Sequence, residues 1–114
     1  MAEIICPPKA KLFCGFIYSD EEILNKSISL LSESYGKIIL ESESFPFQHT
    51  CYYESMGQNL KKALIAFDPL IERDQMSLIK THSNEIKNLF LDNGKRRINI
   101  DPGYLTLSNV YLAS

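Results

Sequence analysis

Residues 11–18 (KLFCGFIY) are apolar on both strand parities, with Leu12, Cys14, Phe16 and Tyr18 on one side and Phe13 and Ile17 on the other. Side chains alternate across a strand, so such a run reads as a central strand that requires apolar cover above and below. No other feature constrains the chain as much. A two-layer domain covers one face of such a strand and leaves the second to something else. With 114 residues, one core is within reach, since a domain of this size buries roughly two-thirds of the surface of its extended chain.

The segments that follow set the architecture. Ser19-Asp20-Glu21-Glu22 matches a capping box with Ser19 as the cap, and Ile23, Leu24, Ile28, Leu31 and Tyr35 recur at helical spacing before Gly36. A helix is therefore expected over residues 20–35, ended by a left-handed glycine. Residues 37–43 (KIILESE) alternate in their latter half, as an edge strand does, and residues 61–67 (KKALIAF) read as another interior strand. Met76, Ile79, Ser83, Ile86, Leu89 and Phe90 form one stripe of a second helix over residues 72–92, closing at Asn93-Gly94. Residues 96–100 return as an edge strand, and Asp101-Pro102-Gly103-Tyr104 fits a type II turn, with proline second and glycine third. The final TLSNVYLAS suits either a helix or a strand.

Strand, helix, strand, strand, helix, strand, with strands one and three interior, is the order of a ferredoxin-like βαββαβ domain. That is an α+β fold with a four-stranded antiparallel sheet and two helices on one face. Residues 1–10 carry Pro7-Pro8 and read as an extended N-terminal arm, leaving 11–114 as a single domain. The second sheet face then lacks cover, so the expected partner is another copy of the chain or a C-terminal segment.

Composition narrows the classes of function. Twelve basic against fourteen acidic residues give a net charge of −2, so there is no overall positive field to gather nucleic acid or an anionic membrane. No apolar run approaches the ~20 residues that span a bilayer, and the start of the chain lacks a signal peptide's pattern. Three cysteines without paired spacing read as reduced thiols in a cytoplasmic protein. Cys6, Cys14, His49 and Cys51 offer four potential zinc ligands, but their spacing matches no metal motif, and no metal or cofactor is expected. Walker, dinucleotide, nucleophile-elbow and zincin signatures are absent.

Several stretches together, KLFCGFIYSDEE, ESESFPF, Tyr52-Tyr53-Glu54 before Met56-Gly57, and above all GKRRINIDPGYLTL, resemble an uncharacterised prokaryotic family, domain of unknown function four-four-one-six. The resemblance covers residues 11–114 and implies no established activity. It also implies that family members continue past residue 114 into a further strand-rich segment, so that this chain lacks a C-terminal continuation. Here Gln48-His49-Thr50-Cys51 replaces a stretch that is usually acidic in the family.

Two groups of residues are candidate ligand contacts. The connection over residues 44–60 concentrates Phe45, Phe47, His49, Tyr52, Tyr53 and Glu54. These either orient a polar ligand over an aromatic floor or tie a long loop down. Arg97, Asn99 and Asp101 share one strand face, either as a polar row for a carboxylate or phosphate or as an ion pair across the asparagine. His82 reads as exposed or partly packed on the second helix, and Lys61-Lys62 and Lys95-Arg96-Arg97 as solvated strand ends. Two functions follow. One is a non-catalytic binding or assembly module, and the other an enzyme or small-ligand binder for an anionic compound.

Overall fold

The computed structural model describes residues 9–46, 56 and 59–106, and the backbone of 110–112. The elements in chain order are β1 (Ala10–Tyr18), α1 (Glu21–Tyr35), β2 (Ile38–Glu41), β3 (Phe45–Pro46), β4 (Lys61–Ile71), a 3₁₀ turn (Arg73–Gln75), α2 (Met76–Leu89), β5 (Ile98–Leu105) and β6 (Val110–Leu112). The protein is mixed α+β, with two helices and an antiparallel sheet ordered β2-β4-β1-β5-β6, β3 adding to β4. The expected count of four strands is exceeded, because β3 and β6 extend the sheet. Within the ambiguous C-terminal stretch, Val110–Leu112 is a strand.

β1 lies in the middle, flanked by β4 and β5. Its Leu12, Cys14, Phe16 and Tyr18 are fully buried against Leu24 and Leu31 of α1, Ile79 and Ile86 of α2, and Ala63, Ile65, Phe67, Ile98 and Ile100 from neighbouring strands. Both helices therefore pack on the same sheet face. Each also buries a serine, Ser27 in α1 and Ser83 in α2. The Ser83 hydroxyl donates to the Lys80 carbonyl at 2.8 Å, which satisfies it within its own turn.

Local chemistry sets the boundaries, with four departures from the expected pattern. The cap of α1 is Asp20 instead of Ser19, its Oδ1 accepting from the Glu22 amide at 2.9 Å. The carboxylate also places negative charge at the helix N-terminus. Gly36 does close the helix, at φ +99°, and a Cβ there would lie 2.5 Å from Pro69 Cγ. Pro69 itself sits where β4 slips register against β1, a place at which a strand tolerates a missing amide.

The second helix is shorter than its apolar stripe. A capping box between Glu72 and Gln75 opens a 3₁₀ turn, and α2 ends at Leu89. Gly94 does not cap it. Asn93 and Gly94, at φ 52° and 77°, form a two-residue reversal closed by paired backbone bonds between Asp92 and Lys95 at 2.9 Å.

The last departure is the largest. Asp101-Pro102-Gly103-Tyr104 is no turn: β5 runs through it, pairing Cys14 with Pro102 and Phe13 with Gly103. The proline φ is compatible with extended backbone. Among the described residues, β6 pairs with Gly103 to Leu105. With β6 beyond it, β5 is an interior strand over that half.

Candidate functional site

The face of the sheet away from the helices has two different ends. By register, Ile17, Gly15, Phe13 and Lys11 of β1 lie beside Lys62, Leu64, Ala66 and Leu70 of β4 and beside Asn99, Asp101, Gly103 and Leu105 of β5. At the Ile17 end the chain covers itself, since Met56 and Leu60 are buried against Ile17. Toward the other end the surface is open, with Leu40 66%, Leu70 54%, Leu64 40% and Leu105 38% exposed.

Phe13, Leu40, Ser42, Leu64, Ala66 and Leu105 line a hollow of about 280 Å³ on this face. Ser42 contributes little free polarity, because its amide donates to the Leu64 carbonyl and its Oγ accepts from the Leu64 amide, both at 2.8 Å. The Leu64 side chain lies over Gly15, whose added Cβ would meet Leu64 Cδ2 at 3.3 Å. Apart from Ser42, the lining among the described residues is thus aliphatic and aromatic, with no titratable group in it. A larger groove of about 650 Å³ runs between α1 and Phe90, but its Lys26 and Glu22 pair with each other at 3.5 Å.

The polar row behaves differently from its sequence pattern. Asn99 is buried and its Nδ2 donates to Asp101 Oδ2 at 2.8 Å, while Lys80 Nζ of α2 lies 3.7 Å from Asp101 Oδ1. Arg97 does not join them, nor does it pair with Asp101. It reaches Asp20 Oδ2 at 3.5 Å and Asp92 Oδ2 at 3.4 Å, linking the cap of α1 to the reversal before β5. One cation between two carboxylates leaves a local surplus of negative charge, which disfavours an anion there.

Two ionisable groups near Asp101 are perturbed. Burial, reinforced by the Asp101 charge, pushes the Cys14 thiol up to about 12, so it remains protonated and unreactive at neutral pH. Burial, together with the Lys80 charge, lowers the proton affinity of Lys87. Among the described residues, no three His, Cys, Asp or Glu side chains form a metal-binding group. His82 is partly packed, its Nδ1 2.9 Å from Tyr35 Oη.

Tyr52, Tyr53 and Glu54, with His49 and Phe47, lie outside the described residues. The start of their loop is fixed: Phe45 and Pro46 pair with Lys62 and Lys61, and Ser44 Oγ hydrogen-bonds Tyr18 Oη. Sequence reasoning missed Asp20 and Asp92 as partners of Arg97, and Lys80 as the partner of Asp101. The 77-residue separation of Asp20 from Arg97 leaves no local signal. Lys80 and Lys87 do carry one, being seven residues apart on the same side of a helix.

The model of the family described as domain of unknown function DUF4416 matches residues 8–114. The chain belongs to that family. The DUF4416 match spans all elements of the sheet and both helices, and so includes both the open face and the polar row. No curated protein and no solved structure matches the chain. No helix among the described residues is long and apolar enough to cross a membrane.

Proposed function

We propose that this DUF4416 chain is a cytoplasmic, non-catalytic assembly module of ferredoxin-like topology, whose open sheet face pairs with the same face of a second copy. The order β2-β4-β1-β5, with both helices on one side, supports the ferredoxin-like reading, β3 and β6 being additions to it. The observation that carries the functional reading is the aliphatic hollow lined by Phe13, Leu40, Leu64, Ala66 and Leu105. Such a surface offers nothing that recognises a polar ligand, and it matches best a surface as apolar as itself.

Magnitudes favour a concentration-dependent dimer over an obligate one. Fully burying a leucine contributes about 1.5–3 kcal/mol, so finishing the burial of half-exposed side chains adds roughly 1 kcal/mol each. Four such leucines and Phe13 on each copy contribute about 10 kcal/mol in total, of the order of the 4–15 kcal/mol that association costs. Light scattering across a concentration series tests this: the mass should rise from one chain toward two. A mass fixed at one chain up to the highest soluble concentration contradicts it.

A further inference from the structure

We propose that the open sheet face also takes the single chain of a free fatty acid, with its hydrocarbon in the apolar hollow and its carboxylate at Lys11. Among the described residues, Lys9, Lys11, Leu70, Leu105 and Thr106 line a second hollow of about 340 Å³. Leu105 also lines the apolar hollow of about 280 Å³, so the two meet at that side chain. Register explains the junction. Lys11 pairs with Leu70 of β4 and with Leu105 of β5, and Phe13, two positions further along β1, stands on the same face. The resulting trough is apolar along its length and cationic at one end.

Lys11 is held in place there. Its Nζ donates to the Asp68 carbonyl at 2.7 Å, which uses one of the three ammonium hydrogens and leaves two to donate elsewhere. A carbonyl accepts a hydrogen bond but cancels no charge, and Lys11 takes part in none of the ion pairs among the described residues. An ammonium flanked by two leucines therefore still lacks a carboxylate. Lys9 adds a second cation, whose contact with Glu72 is long at 3.9 Å and more than half exposed on both sides.

Dimensions and charge select the ligand. Gly15 lies four positions beyond Lys11 on β1, and Leu64 lies over it. At about 3.3 Å per residue that distance is about 13 Å. A saturated chain of about ten carbons spans it, with bonds of about 1.5 Å in zigzag. At about 280 Å³ the apolar hollow suits one hydrocarbon chain, not the paired chains of a membrane lipid. A monocarboxylate meets one ammonium charge for charge. Such an acid and a second copy need the same residues, so filling the trough should release the partner; this consequence alone rests on the assembly reading.

The test titrates the full chain with decanoate and with 1-decanol, each below the concentration at which it self-associates, in protein dilute enough to be monomeric. Backbone amide shifts that saturate at residues 11, 13, 64 and 105 are expected. Octanoate, two methylenes shorter, should bind about tenfold more weakly than decanoate. Lys11→Gln should weaken decanoate about threefold to fivefold and leave decanol unchanged, because only the carboxylate meets the ammonium. Arg97→Gln should change neither. At a concentration where the wild type is dimeric, saturating decanoate should return it to one chain. Four results overturn the proposal: no saturable shift, equal losses for decanoate and decanol in Lys11→Gln, a dimer that survives saturating decanoate, or binding to anionic phospholipid vesicles with none to monomeric decanoate. A wild type that binds decanoate yet never exceeds one chain supports the acyl site and contradicts the assembly reading.

Discussion

The two faces of one sheet are built from the same strands, yet they follow different rules. Toward the helices, Leu12, Phe16, Tyr18, Ile65, Phe67, Ile98 and Ile100 are at most 1% exposed and form a single cluster. Toward the other side, Leu40, Leu64 and Leu105 are between 38% and 66% exposed, and Leu64 lies directly between the core residues Ala63 and Ile65 of the same strand. Strand pleating hands every second residue to each face, and α1 and α2 both meet the same one. The difference teaches that apolar character along β1 and β4 serves two ends: folding on one side and, in our reading, association on the other.

Truncation should separate the faces most sharply. Phe67→Ala, on the helix side, removes a fully buried ring and should cost about 3–5 kcal/mol in urea unfolding. Leu64→Ala, on the open side, should cost less than about 1.5 kcal/mol under conditions where the chain is a monomer. Equal losses would erase the distinction.

Alkali should also act through the covered face. The folded Cys14 thiol titrates at about 12 against 9.0 in an exposed chain. A pKa raised by folding means that the contribution is intact below pH 9 and is lost as pH climbs toward 12. Stability should therefore decline between about pH 9 and pH 12, and more steeply than in Cys14→Ala, as followed by urea midpoints.

Two further substitutions probe how the helices are held on their side. Gly36→Ala places a Cβ against Pro69 at a left-handed φ and should cost about 1–3 kcal/mol. Asp20→Ala removes the cap of α1 and one partner of Arg97, and should cost about 1 kcal/mol. Arg97→Gln should cost less still, since the pairs are long and about a third exposed, and added salt should shrink the loss. Thermal unfolding of the three variants gives the order directly.

Much of this contrast was legible in the sequence. The apolar double parity of residues 11–18 marks a central strand, and with two helices available for one face it also marks a bare one. The interior position of β4 and the edge position of β2 were readable in the same way, from continuous against alternating patterns. Where the reading failed, pairing overrode local chemistry. Asp-Pro-Gly-Tyr has the composition of a turn, yet continuous pairing with Leu12 to Gly15 of β1 carries the strand through it. Asn93-Gly94 carried a genuine turn signal, assigned to a helix end that lies several residues earlier.

The polar row was half legible. Alternation joins Asn99 to Asp101, and the hydrogen bond between them follows. The destination of Arg97 was not readable, because Asp20 reaches it only once α1 has docked beside the end of β5. Lys80 came within 3.7 Å of Asp101 by the packing of α2, which spacing alone does not specify.

The central claim, that the open face joins two copies, is tested most directly by placing a charge on each side of the molecule. Leu64→Lys puts it on the open face, and Leu78→Lys puts it on the outer surface of α2, where the leucine is 67% exposed. Sedimentation velocity at a concentration where the wild type is dimeric should show Leu64→Lys as a folded monomer and Leu78→Lys as a dimer. A Leu64→Lys variant that remains dimeric, or a wild type that never exceeds one chain, contradicts the account.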